Sequence, residues 1–192
     1  MSGVSSPRNG ELVDGPYRLV VLDLPRLLAE APAEERAAIC ERLEALLDRQ
    51  ARILLVAPAE LQAMDRAVCR AIRGLSKVFL FVWTAGAELF GFDQYGRAVP
   101  LAAGRKDDPN SLALYAVDAV ADPADISLEE ILVVGESLDG GHALSAFAAG
   151  GYDGVRLVAL AEHVKVPAGV RRAAPNHRTV TGLLDDLLLQ MG

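Results

Sequence analysis

Asp23 is the first residue of this 192-residue chain whose type and place suggest chemistry. It directly follows Tyr17 to Leu22 (YRLVVL), a nearly continuous apolar run of the kind a strand buried on both faces requires. A carboxylate leaving such a strand suits a nucleophile or a metal ligand, or else it caps the turn beyond it. A second acidic set comes after the apolar run Ile131 to Val134, in Gly135-Glu136-Ser137-Leu138-Asp139-Gly140-Gly141. Carboxylates converging from two strand ends are what a hard cation such as Mg²⁺ takes as ligands. Glycines such as Gly135 let the backbone approach a ligand closely. The competing reading is that Glu136 and Asp139 form an acidic cap at a helix starting near Leu138, which the helix dipole favours. Ser137 likewise either donates to a phosphate or caps that helix. His142 comes after the glycine loop and either reaches a ligand there or caps and packs at the helix start. No histidine pair has zinc spacing, and no Gly-x-Ser-x-Gly or Walker pattern occurs.

The elements that must hold these residues are legible as alternating strands and helices. Ile53–Val56 and Val78–Trp83 read as further buried strands, and Val155–Leu160 as another. Pro32 opens a helix to about Gln50, with Ile39, Leu43, Leu46 and Leu47 on one stripe. A second helix is expected between Pro58 and Gly74. Ser111–Ala121, the small-residue segment Ala143–Ala149 and Thr179–Gln190 read as three more. The stretch from Ala87 to Leu101 reads instead as two short strands around a turn at Asp93-Gln94-Tyr95-Gly96. The expected architecture is an α/β doubly wound parallel sheet, Rossmann-like, with a β-hairpin flap. Ligands of such sheets bind at the carboxyl ends of the strands, near the point where strand order reverses.

Composition narrows the partners. Lys and Arg total 19 against 26 Asp and Glu, a net charge of −7, and the densest basic cluster is only Arg171-Arg172 with Arg178 nearby. That argues against nucleic acid, whose binders present a basic face to the phosphates. No window approaches the ~20 apolar residues of a membrane helix, and no signal-like segment opens the chain. Residues 1–14 read as a flexible tail and 15–192 as one domain. Cys40 and Cys69 both fall in amphipathic helical patterns, which suits a reduced, cytoplasmic setting rather than a disulfide. Apolar residues make up 52% but aromatics only 5%, so the core is aliphatic, and 31 alanines allow close helix contacts. Leu89, Phe90, Phe92 and Tyr95 concentrate aromatic side chains on the hairpin. Two readings stand there: a hairpin folded onto the sheet edge, or an interface patch for a protein partner or a second copy.

Three stretches together resemble the haloacid dehalogenase-like hydrolase superfamily. Val20 to Leu28 (VVLDLPRLL) is similar to its strand followed by Asp-x-Asp-Gly-Thr. Ile131 to Leu144 (ILVVGESLDGGHAL) is similar to its last motif, an apolar strand followed by Gly-Asp-Ser-x-Asn-Asp. Gly86 to Leu101 (GAELFGFDQYGRAVPL) resembles the hairpin of its sugar-phosphatase and phosphomannomutase-like branch. The resemblance implies Mg²⁺-dependent phosphohydrolase chemistry. Asp23 would be the nucleophile forming an aspartyl-phosphate, with Asp23, Glu136 and Asp139 at the metal. Lys106 would neutralise the phosphate, and Gly135 and Ser137 would contact the ligand. It also implies a form without a cap domain, since only about ten residues, Ala102 to Ser111, occupy the cap's place.

Departures from the family pattern weaken the catalytic side of that resemblance. Pro25 stands at the general-acid position and can neither give nor take a proton. The second expected strand ends Ala57-Pro58-Ala59, without the hydroxyl that would hold a phosphoryl group. Gly140 replaces the final Asp, and Glu136 stands at an Asp position. A general acid contributes about 10²- to 10⁴-fold and a positioned electrostatic donor about 10²- to 10³-fold. The sequence therefore leads to a haloacid dehalogenase-like domain with a degenerate site, weak or non-catalytic, acting through a protein partner or oligomerisation. The alternative is a Mg²⁺-dependent phosphatase on Asp23. A third reading is a fold that binds a phosphorylated ligand without cleaving it.

Overall fold

The computed structural model describes residues 17–24, 31–58, 77–83, 88–92, 97–103, 109–136, 143–150, 152, 154–159, 170–172 and 179–191. Its strands are β1 (Leu19–Asp23), β2 (Arg52–Pro58), β3 (Val78–Trp83), β4 (Glu88–Phe92), β5 (Ala98–Ala103), β6 (Ile131–Gly135), β7 (Arg156–Ala159) and β8 (Val170–Arg172). The helices are α1 (Ala33–Asp48), α2 (Pro109–Ala121), α3 (Ala143–Gly150) and α4 (Val180–Gln190). The strands join one sheet in the order β5-β4-β3-β2-β1-β6-β7-β8. The run from β3 through β8 is parallel, whereas β4 pairs with β3, and β5 with β4, in antiparallel fashion. This is an α/β domain of Rossmann-like arrangement.

The apolar runs explain why the strands form where they do. All five residues of β1 are buried, as are all five of β6, so each must be apolar on both faces. Alternate residues serve opposite layers. Val20, Leu22, Ile53 and Leu55 pack under α1 and α4, against Ile39, Leu43, Leu183 and Leu187. Leu19, Val21, Leu54 and Val56 pack under α2 and α3, against Val117, Val120, Leu144 and Phe147. Each fully buried aliphatic side chain contributes roughly 1.5–3 kcal/mol relative to exposure. Having helices on both faces requires the crossovers to reverse direction. From β1 the chain steps outward to β2 and β3, and from β6 outward the other way to β7 and β8. The reversal lies between β1 and β6, in the middle of the sheet.

Polar contacts fix the ends of these elements. At the amino edge, Arg18 Nη1 donates to Asp125 O at 2.9 Å, and its Nη2 to Ala124 O at 3.0 Å, tying the approach to β1 to the turn before β6. The 3₁₀ turn Leu128–Glu130 enters β6 through a capping box. In it the Glu130 carboxylate accepts from Ser127 N at 3.0 Å. Thr179 Oγ1 accepts from Gly182 N at 3.1 Å and caps α4. Arg42 of α1 grips both carboxylate oxygens of Asp185 in α4, Nε–Oδ1 at 2.7 Å and Nη2–Oδ2 at 3.0 Å.

The structure adds to and corrects the sequence expectation in particular places. The expected helix within 58–74 lies, from residue 59 on, outside the described residues. Pro58 is the last residue of β2 rather than the opening of a helix. Pairing of β2 with β1 stops at Leu55, while β3 continues alongside to Pro58. Pro58 therefore sits where one side of β2 has no ladder to break, as strand prolines require. β8 has no counterpart in the sequence expectation; three residues of Val-Arg-Arg are too short to carry a period, and only pairing with β7 makes them a strand.

This packing predicts two measurable outcomes. Urea unfolding should show Leu43→Ala or Leu183→Ala losing about 2–5 kcal/mol. Asp185→Asn, at a surface ion pair half open to solvent, should lose no more than about 1 kcal/mol. The other outcome concerns Glu130, whose carboxyl is held below the usual range, first by the Ser127 N–H, then by the Ser127 hydroxyl and Arg18. Its contribution is present above the unfolded carboxylate value of about 4.3 and is lost as pH falls through the lower folded value. Unfolding measured between pH 6 and pH 3 should therefore be less steeply acid-dependent in Glu130→Gln than in the wild type.

Candidate functional site

The carboxyl ends of β1 and β6 meet at the reversal. Asp23 is in register with Gly135, and the Glu136 N–H donates to the Asp23 carbonyl at 3.1 Å. Asp23 is only 1% exposed and is the one buried charged side chain among the described residues. A buried carboxylate must be compensated by hydrogen bonds or charge. Part of that compensation is α3, whose Leu144 N–H donates to Asp23 Oδ2 across a long 3.4 Å. Leu144 lies in the first turn of α3, where backbone N–H groups lack intrahelical acceptors and the dipole favours negative charge. The Asp23 carboxylate thus works as a remote cap, reaching α3 from 121 residues earlier in the chain.

Gly135 makes that approach possible. A Cβ at position 135 would lie 2.6 Å from Leu144 Cβ and 2.8 Å from Leu144 Cδ2. Real Cβ atoms do not come so close, so a side chain at 135 would require the end of β6 or Leu144 to shift. Three residues from three elements therefore converge: Asp23 from β1, Gly135 from β6 and Leu144 from α3. Glu136 leaves β6 beside them and is half-buried.

Of the residues singled out by sequence, the structure brings Asp23, Gly135 and Glu136 together. Ser137, Asp139, Lys106 and Tyr95 lie outside the described residues, as do Pro25, Gly140 and His142. Among the described residues no group of three or more His, Cys, Asp or Glu is placed to hold a metal ion. None of the described helices is long and apolar enough to cross a membrane.

Two of the four hairpin residues do not face outward as the interface reading expects. Leu89 is 2% exposed and Phe90 9%, on opposite faces of the sheet as successive strand residues are, each packed in one of the two core layers. They are core residues, as the folded-edge reading expects; of Phe92 only the backbone is described. The apolar exposure falls instead on β5, where Val99 is 41% and Leu101 53% exposed. Sequence reasoning misses these two because aliphatic residues in an alternating strand look the same facing in or out. It also misses Leu144, which contributes a backbone group and has no side-chain signature to find.

A scan against protein-family models finds no match, and searches of curated proteins and of solved structures find none either.

The geometry makes a sharp prediction for Asp23. Asp23→Ala removes the acceptor of the Leu144 N–H and leaves a buried donor, costing about 1–3 kcal/mol. Asp23→Asn keeps a carbonyl oxygen of the same shape and should cost less. Equilibrium unfolding of both variants in urea checks the order.

Proposed function

We propose that this chain is a haloacid dehalogenase-like α/β domain with a degenerate site, which acts by binding a protein partner or a second copy of itself. It turns over phosphate esters weakly or not at all. The observation that carries this reading is the state of Asp23: 1% exposed, with a carboxylate oxygen accepting from the first turn of α3. A nucleophile must present an oxygen to phosphorus, whereas this carboxylate is enclosed and one of its two oxygens, Oδ2, accepts from α3. Sequence supports the same side, with Pro25 at the general-acid position, Ala57 where a hydroxyl is needed and Gly140 at the end of the last motif. The short stretch Ala102 to Ser111 supports a capless form. A reduced cytoplasmic setting belongs to the proposal and is supported by the placement of Cys40 and Cys69 in amphipathic helical patterns of the sequence.

Val99 and Leu101 are the exposed apolar residues that support association on the hairpin side. Pairing of further strands onto β5 is disfavoured, because Pro100 and the register shift opposite Leu89 and Phe90 interrupt its ladder. Contact there would run through side chains.

One observation favours a second reading, a Mg²⁺-dependent phosphohydrolase. Asp23 and Glu136 leave adjacent parallel strands at the reversal point, where ligands of such sheets bind. One or two protein carboxylates is also the number Mg²⁺ usually takes. Asp23 and Glu136 would hold the cation, which would supply charge neutralisation for the phosphoryl group.

The test is an assay of purified protein against generic phosphate esters with Mg²⁺, beside Asp23→Asn. Turnover that is absent, or equal in the two proteins, is the expected result. Mg²⁺-dependent turnover abolished by Asp23→Asn would overturn it in favour of the phosphatase. Sedimentation of the wild type should in addition show self-association weakened by Leu101→Asp, or a monomer that needs a separate partner.

A further inference from the structure

The end of β6 does more than lead into the acidic loop. We propose that Gly135 is a positioning residue for Asp23: by lacking a side chain it seats Leu144 where its N–H reaches the Asp23 carboxylate. The proposal deepens the reading of the β1–β6 reversal point and rests on it only in treating Asp23 as the residue of consequence there.

Three observations meet in it. Asp23 and Gly135 are paired across β1 and β6, so their Cα positions are locked by the parallel ladder. The three atoms nearest to a Cβ built on Gly135 all belong to the Leu144 side chain, at 2.6, 2.8 and 3.2 Å. The backbone N–H of that same Leu144 is the group donating to Asp23 Oδ2. The hydrogen bond is already long at 3.4 Å, near the limit of useful geometry, so it has no slack. An added methyl has to displace Leu144 by several tenths of an ångström. Leu144 is fully buried in the same core layer as Phe147 and Ala146, and dense packing gives it no easy sideways escape. The escape that remains is outward with the first turn of α3, which pulls the N–H off Asp23.

A purely structural glycine would affect stability without acting on Asp23, and the two roles can be separated. The readout is the amide of residue 144, by its ¹⁵N–¹H resonance and its hydrogen exchange. In Gly135→Ala the Leu144 amide should shift toward its position in Asp23→Ala and exchange at least about tenfold faster, as loss of a hydrogen bond to a charged acceptor implies. Leu183→Ala, which trims the opposite core layer, should leave that resonance in place. Adding Gly135→Ala to Leu144→Gly should then change the residue 144 amide very little, because the clashing side chain is gone.

A folded Gly135→Ala protein with an unmoved Leu144 amide overturns the proposal. If Gly135→Ala fails to fold, the double variant decides. A folded Gly135→Ala/Leu144→Gly protein, with its residue 144 amide matching that of Leu144→Gly, supports the proposal. A double variant less stable than Leu144→Gly alone, or with its residue 144 amide displaced from that of Leu144→Gly, overturns it, since Leu144 would not be the cause. None of these outcomes depends on phosphate-ester turnover, so the proposal can fail while the non-catalytic reading stands, and the reverse.

Discussion

The central constraint on this molecule is the place of β1. It lies between β2 and β6 with all five of its residues buried, and both hydrophobic layers rest on it. A strand so enclosed has no exposed face for a polar residue, and its backbone groups are taken up by ladders on both sides. The first place where it can present a charge is its carboxyl end, and there Asp23 stands. The strand order reverses at the same place, because helices must cover both faces. The position of the carboxylate and the position of the reversal therefore have one cause.

Electrostatics governs the surroundings of that carboxylate. At 1% exposure it is costly unless donors surround it. α3 starts beside it and offers a backbone N–H that has no acceptor within the helix, so the helix gains a cap and the carboxylate gains a donor. Close approach of α3 needs an end to β6 with no side chain, which Gly135 provides. The surface chemistry is much weaker by comparison. The Arg42–Asp185 pair has good two-point geometry, yet solvent screens it, and α1 and α4 are held mainly by the leucines beneath.

How much of this is legible in the sequence varies with the range of the contacts involved. β3 has the bounds its apolar run suggests, Val78–Trp83, and α1 begins directly after Pro32. These elements announce themselves because burial on two faces, or along one stripe, leaves a local period. Asp23, Gly135 and Glu136 are recognisable because each stands at the end of such a run. The hairpin forms the two strands its pattern suggests, but that pattern leaves open whether its side chains face the core or the solvent, and Leu89 and Phe90 face the core. A strand becomes interior or edge only through its neighbours, and β4 is interior because β5 folds outside it.

The sequence by itself determined the alternation of strands and helices, the aliphatic core and the acidic residues at the strand ends, since each of these depends on residues close together along the chain. The tertiary structure alone decided that β6 lies beside β1 and that Leu144, far along the chain, donates to Asp23. It also decided that Val99 and Leu101, rather than Leu89 and Phe90, face outward. The physical reason is that partner identity, burial and steric clearance are properties of contacts between distant segments, which have no value until the sheet has closed around β1.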